Sequence, residues 1–218
     1  MKATKKLTKI RTKLSLPPLT WKEEFRRQNY SPLDRVMKKY LQQVNYLWYF
    51  KNVAFYDEKY HLTYFFDRIV LTRKNLYFLK YKKLTAPLTV DIHQPYWNFN
   101  NKTITSPIVT QQFMINRVLK LLNAKQFLAV CTINFLIIDT HYELTFNNWG
   151  QNHNIRHLNL TNHSWFDVIQ QIEQIDEQTY DKISDESILY LHHQLTAHAN
   201  AVNKKYDRHF WYSLYHFI

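Results

Sequence analysis

Two neighbouring segments with strand-like alternation predict a β-hairpin in the first half of the chain, and this hairpin constrains the fold most. The first segment runs from about Leu62 to Leu71, and the second from about Leu76 to Tyr81. Read with a period of two, each segment places charged and apolar residues on one face. The two sets are Phe65, Asp67, Ile69 and Leu71 on the first strand, and Leu76, Phe78, Lys80 and Lys82 on the second.

Charged side chains on the core-facing sides of adjacent strands carry a large desolvation cost. Charged side chains are found at such positions where they form ion pairs with one another or belong to a catalytic or binding site. We therefore expect Asp67 to form an ion pair with Lys80 or Lys82, or to belong with them to a functional site.

The remaining elements predict an α/β fold with a mixed sheet flanked by helices. Ser31-Pro32 begins the first helix, because serine is a favoured N-cap and proline is favoured at the first helical position. Nearly continuous apolar runs later in the chain indicate a central strand covered on both faces. The predicted elements besides the hairpin are a helix from residue 31, strands near 52–56, 88–92 and 96–99, a helix at 108–122, strands at 127–133, 135–138, 142–146 and 158–160, and helices at 164–175 and 184–202.

The composition predicts three regions. Residues 1–30 form a basic lead, residues 31–175 form the domain, and residues 176–218 form a helical extension that ends in an aromatic segment. That segment, Arg208 to Ile218, either docks on the domain or contacts a homodimer mate or another protein.

Several classes of protein are excluded by residue usage. Gly150 is the single glycine, which excludes P-loops, dinucleotide-binding loops and nucleophile elbows, since each needs several glycines. Cys131 is the single cysteine and lies in an apolar run, so we expect a buried thiol. Eleven histidines form no zinc-binding array. No segment has the length of a membrane span or the pattern of a signal peptide, and we expect a cytoplasmic protein without a membrane partner.

The net charge of +12 indicates a polyanionic partner. Nucleic acid is the first expectation, with DNA favoured over RNA. The side chains expected to contact it are Lys83, Arg73, Lys74, Arg117 and Gln111.

The segment from about Ser31 to Ile175 resembles the nuclease-related domain (NERD) family, a branch of the PD-(D/E)xK nucleases. Asp34 lies near the start of the first helix, Asp67 takes the acid position of the hairpin, and Lys82 takes the lysine position. Tyr96-Trp97, Ser106-Pro107 and Gln111 are similar to the family's aromatic segment and helix start. The resemblance implies a restriction-endonuclease-like fold and a catalytic set of Asp67, Lys80, Lys82 and Asp34.

The chain departs from the family at the position of the metal-binding glutamate, which is Lys80. The usual hairpin glycine is Asn75, which tolerates a positive φ. In the family the acids hold Mg²⁺ or Mn²⁺, and here Asp67 is the one remaining metal ligand of the hairpin. The resemblance therefore implies a degenerate nuclease that needs no cofactor.

Three hypotheses remain open from the sequence. The first is a nucleic-acid-binding protein that does not hydrolyse its ligand efficiently. The second is an active Mg²⁺- or Mn²⁺-dependent nuclease in which Asp57, Glu58 or Asp91 replaces the missing glutamate. The third is a scaffold for protein interactions that uses the aromatic C-terminal segment.

Overall fold

A computed structural model describes residues 31–41, 44, 47–84, 88–91, 93–99, 102–122, 131–147, 154–160 and 163–201. The predicted basic lead at 1–30 and the aromatic segment at 208–218 lie outside these described residues. No helix in the described part of the chain is long and apolar enough to cross a bilayer.

The described residues contain helices on both sides of a main sheet, in an order close to the predicted one. The helices are α1 (Ser31–Leu41), α2 (Pro107–Leu121), α3 (Trp165–Gln178) and α4 (Asp185–Ala201), and the strands are β1 (Leu47–Asp57), β2 (Leu62–Thr72), β3 (Asn75–Lys83), β4 (Leu88–Asp91), β5 (Tyr96–Phe99), β6 (Lys102–Thr105), β7 (Cys131–Asp139), β8 (Leu144–Asn147) and β9 (Ile155–Asn159).

The main sheet has five strands in the order β1-β2-β3-β7-β9. Strands β1, β2 and β3 are antiparallel, whereas β7 runs parallel to β3 and β9 runs parallel to β7. Strands β4 and β8 form a small parallel sheet, and β5 and β6 form a small antiparallel one. The prediction of an α/β fold with a mixed sheet is confirmed.

Three apolar clusters cover the two faces of the main sheet. On face A, α2 and α4 pack against the sheet through a cluster that includes Phe55, Phe66, Phe78, Ile115 and Leu191. On face B, α1 and α3 pack through a cluster that includes Met37, Val70, Tyr77, Ile169 and Ile172. A third cluster, which includes Trp97 and Ile108, packs against Leu136 and Ile138 on the other side of β7 from Phe135 and Ile137. Burial on both faces explains why β3 and β7 are nearly continuous in apolar residues.

Helix α4 belongs to the same core as the sheet, although it falls in the predicted extension. Ile188, Leu191 and Leu195 are buried in the face A cluster. The predicted boundary after residue 175 also falls inside α3, which continues to Gln178. Residues 176–201 therefore complete the core of the domain.

The regular alternation predicted for β2 is interrupted. Phe66, not Phe65, shares the face A cluster with Ile69 and Leu71, so the face changes between positions 66 and 69. The neighbouring strand changes face near Asn52, which has a φ of 52°. Asparagine tolerates this left-handed conformation. Beyond the break the alternation is regular, so Arg68 lies with Val70 on face B.

Candidate functional site

The predicted pairing of the hairpin charges is observed between Asp67 and Lys80. The Lys80 Nζ lies 3.1 Å from Asp67 Oδ2. Arg68 and Leu79 are opposite each other in the antiparallel register of β2 and β3, and Asp67 and Lys80 are the next two residues facing each other. Lys80 follows Leu76 and Phe78 by the strand period, so the pair lies on face A. Both side chains keep about a quarter of their surface exposed, at 28% for Lys80 and 23% for Asp67.

Lys82 lies two residues beyond Lys80 and faces the same side of the sheet by the strand period. It is half-buried and lies beside Ile138 of the parallel strand β7. The margin of face A therefore carries the Asp67 carboxylate of β2 and the ammonium groups of Lys80 and Lys82 of β3.

Asp34, which the resemblance places in the catalytic set, makes its side-chain contacts on the other face of the sheet. Helix α1 packs on face B, and there Asp34 accepts hydrogen bonds from Arg68 Nε at 2.8 Å and Arg68 Nη2 at 3.1 Å. The Tyr49 hydroxyl donates to Asp34 at 2.7 Å, and Lys51 Nζ lies 3.1 Å away. Arg68 alternates with Asp67 along β2, so Arg68 and its partner Asp34 lie on the side of the sheet opposite to the Asp67 side chain.

Two opposing influences act on the Asp34 carboxyl. Burial raises its pKa, but the hydrogen bonds from Arg68 and Tyr49 outweigh burial and hold the pKa below its ordinary value. The carboxylate therefore stays charged and neutralises a guanidinium whose side chain is 7% exposed. This is the arrangement of a structural ion pair.

Asn75 does not adopt the positive φ that its place in the resemblance suggested. It begins β3, and its buried amide donates to Asp176 Oδ1 at 2.6 Å and to Thr179 Oγ1 at 3.1 Å. The Tyr77 hydroxyl also donates to Asp176 Oδ1. Asn75 thus fastens the hairpin turn to the end of α3.

Two of the residues expected to contact nucleic acid make internal contacts. Gln111 is 2% exposed and donates to the Phe78 carbonyl oxygen at 2.7 Å, which ties α2 to β3. Lys74 Nζ donates to the carbonyl oxygens of Asp176 and Thr179 at the carboxyl end of α3. Both side chains have roles in holding the fold.

The other three expected contacts lie nearer the surface. Arg73 is exposed and lies 3.9 Å from the exposed Asp185. Lys83 is half-exposed and lies 4.0 Å from Asp139, which also accepts a hydrogen bond from Tyr81. Arg117 is partly exposed and contacts Asp57 and Tyr60.

The donor set around Asp67 does not fit a divalent cation. Hard cations prefer several oxygen ligands, whereas this group offers one carboxylate beside ammonium groups. Asp57 is one of the acids that could replace the missing metal-binding glutamate. It is 3% exposed and forms an ion pair with Arg117 at 3.5 Å. Within the described residues, no group of three or more His, Cys, Asp or Glu side chains is arranged to hold a metal ion.

The sequence analysis missed two polar groups that the fold brings together. Arg68 and Asp34 are 34 positions apart in the chain, and the packing of α1 on face B brings them together. The second group joins Asp57, Tyr64 and Arg117 between the β1–β2 turn and α2. Neither group has a short sequence motif, because each depends on contacts between distant elements.

No protein-family model matches this sequence, and a search of curated proteins finds no significant match.

Proposed function

We propose that this chain is a degenerate nuclease-fold protein of the NERD type that binds nucleic acid without hydrolysing it efficiently. The observation that carries the proposal is the ion pair between Asp67 and Lys80 on adjacent strands. Lys80 stands thirteen residues after Asp67, where the family has its metal-binding glutamate. The lysine takes the place of the cation by neutralising the aspartate directly.

The topology of the main sheet supports a restriction-endonuclease-like core. Helix α1 precedes three antiparallel strands, and α2 then leads to β7, which lies parallel to β3. This order of helix, three strands, helix and strand is the one that the resemblance implies. The hairpin β2–β3 carries the charged group at its open end.

Electrostatics opposes metal-dependent hydrolysis at this site. Exchanging a glutamate for a lysine changes the local charge by two units. At about 4 Å and an effective dielectric constant of about 20, each unit pair contributes about 4 kcal/mol. A divalent cation beside Lys80 would therefore lose several kcal/mol of binding free energy, and we propose that the chain uses neither Mg²⁺ nor Mn²⁺.

The net charge of +12 supports a nucleic-acid ligand. Lys82, Lys83 and Arg73 contribute to the positive surface among the described residues. We propose DNA as the ligand in a cytoplasmic setting, with contacts to the phosphate backbone supplying most of the affinity.

Fluorescence anisotropy of labelled single- and double-stranded DNA over a salt series tests binding. A slope of log affinity against log salt steeper than about −3 is expected, because several phosphates would be neutralised. Absence of binding at low salt would contradict the proposal and would favour the role of a protein scaffold.

Incubation with plasmid and single-stranded DNA in Mg²⁺ and in Mn²⁺ tests the lack of hydrolysis. We expect no cleavage above the level of a buffer control. Metal-dependent cleavage that disappears in Asp67→Ala would show that catalysis has been retained.

A further inference from the structure

An exposed tyrosine at the β1–β2 turn lies against two cations. Tyr60 is 47% exposed. The guanidinium carbon of Arg117 lies 4.2 Å from the centre of its ring, and Lys59 Nζ lies 5.2 Å from it. These distances fall within the range of cation–π contacts. Positive charge and an accessible aromatic ring are therefore held side by side.

Buried groups beneath this turn fix the arginine in place. Arg117 Nε donates to the Tyr64 hydroxyl at 3.3 Å, and Arg117 Nη2 lies 3.5 Å from the Asp57 carboxylate. Asp57 is 3% exposed and also accepts from the Lys59 backbone N–H at 3.1 Å. One buried carboxylate thus orients both Arg117 and the turn that carries Tyr60. The loss of side-chain entropy on binding is smaller when such groups are already ordered.

Helix α2 extends this surface with a second exposed aromatic residue. Phe113 is 58% exposed and precedes Arg117 by four residues, so the two lie on one face of the helix. Lys120 is exposed one turn beyond Arg117. We call Lys59, Tyr60, Phe113, Arg117 and Lys120 the Tyr60–Phe113 patch.

The charge of the patch favours an anionic ligand. Three cations lie at the surface, whereas Asp57 is buried beneath them and Glu58 is the exposed acid of the same turn. Aromatic rings between cations match the chemistry of an unpaired strand, which offers base faces for stacking and phosphates for pairing. Duplex DNA offers the phosphates alone, because its bases are already stacked.

We propose that the Tyr60–Phe113 patch binds single-stranded nucleic acid, with bases stacking on Tyr60 and Phe113 and phosphates contacting Lys59, Arg117 and Lys120. This inference rests on the proposed function and locates its contact surface. The patch is separate from the ion pair of Asp67 and Lys80.

Anisotropy with a labelled oligothymidylate of about 15 nucleotides tests the patch. The double variant Tyr60→Ala/Phe113→Ala removes both rings and keeps every charge. We expect its affinity for the oligonucleotide to fall at least about fivefold with little change in the salt slope. Because both side chains are exposed, circular dichroism and thermal unfolding should verify that the variant is folded.

The matched control is Tyr180→Ala/Leu189→Ala, which removes two other exposed apolar side chains, 98% and 70% exposed. Its affinity should equal that of the unmodified protein. Equal binding by the unmodified protein and the Tyr60→Ala/Phe113→Ala variant would overturn the patch and leave the proposed function intact. No binding by the unmodified protein would instead overturn the proposed function, and the patch with it.

Photocrosslinking to an oligonucleotide that contains 5-iodouracil gives a second measurement, independent of how the double variant folds. Crosslinks in the unmodified protein should map to peptides that contain Tyr60 or Phe113. Crosslinks confined to other peptides would contradict the patch.

Discussion

Asp67 and Asp34 have their negative charges neutralised in different ways. Asp67 faces the ammonium of Lys80 at a site where both side chains remain partly exposed. Asp34 faces the forked guanidinium of Arg68, whose side chain is 7% exposed. A partly exposed pair contributes at most about 1 kcal/mol to stability. Breaking a buried pair is more damaging, because the remaining charge stays in the protein without compensation.

Lys80→Glu tests the charge at the family's glutamate position. In the absence of metal it should lower the melting temperature, because two carboxylates then lie side by side on adjacent strands. Mn²⁺ or Mg²⁺ should raise the melting temperature of this variant, since two acids can share a cation. Differential scanning fluorimetry over a metal titration measures both effects.

Lys80→Gln is the control for this experiment, since it removes the ion pair without adding a ligand. Its melting temperature should show no response to either metal beyond that of the unmodified protein. A Lys80→Glu variant that responds no more than Lys80→Gln would contradict the assignment of this position to a former metal site.

Asp34→Asn tests the ion pair on face B. At neutral pH it should lower the free energy of unfolding by about 3 kcal/mol, because Arg68 loses its charged partner. The folded-state pKa of Asp34 is below its ordinary value of 3.8, so the carboxylate stabilises the fold above that pH. This contribution is lost as the pH falls through the lowered folded-state pKa.

Urea unfolding of both proteins at about pH 7 and about pH 3 measures this difference. The gap between the unmodified protein and Asp34→Asn should narrow in acid. A gap that is absent at neutral pH, or that widens in acid, would show that Asp34 does not neutralise Arg68.

At the scale of elements, the β2–β3 hairpin is fastened to the end of α3. Asn75 and Tyr77 donate to Asp176, and Lys74 donates to backbone carbonyls of the same helix end. This contact joins residues about a hundred positions apart. It explains why Asn75 is buried at the first position of β3.

Asp176→Ala tests this fastening. The variant should lose about 1–3 kcal/mol of unfolding free energy, because the buried Asn75 amide and Tyr77 hydroxyl lose an acceptor. Glu177→Ala is the matched control, since it removes an exposed acid from the next position, and it should change stability by less than about 0.5 kcal/mol. Equal urea midpoints for the two variants would contradict the role of Asp176.

Local patterns in the sequence predicted the elements well. The hairpin was predicted from alternation, and the helices expected from residues 108 and 164 begin at Pro107 and Trp165. The two apolar runs near residue 133 proved to belong to one strand, β7, which begins at Cys131 among the described residues. Strand β6 at Lys102–Thr105 was not predicted.

The predictions failed where a contact depends on tertiary structure. Asp34 pairs with Arg68 because α1 packs on face B, and no local pattern indicates which face a helix covers. Gln111 was expected at the surface, but the crossing of α2 over β3 buries it. The Tyr60–Phe113 patch combines a turn and a helix that are distant in sequence, so the sequence alone did not reveal it.

At the scale of the whole molecule, the sheet separates two kinds of ion pair. Face B holds the pair of Asp34 with the buried Arg68, and the margin of face A holds the pair of Asp67 and Lys80, in which both partners are partly exposed. The Tyr60–Phe113 patch lies at the β1–β2 turn and on the outer side of α2. The central claim is that the molecule retains a nuclease-like frame and binds nucleic acid without cutting it.

A time course of fluorescence anisotropy, with an end-labelled single-stranded oligonucleotide in low salt, tests this claim most directly. Addition of the protein should raise the anisotropy, because the bound oligonucleotide tumbles more slowly. The signal should then stay constant for hours after Mn²⁺ is added. No initial rise, or a fall below the value of the free oligonucleotide after Mn²⁺ addition, would contradict the account.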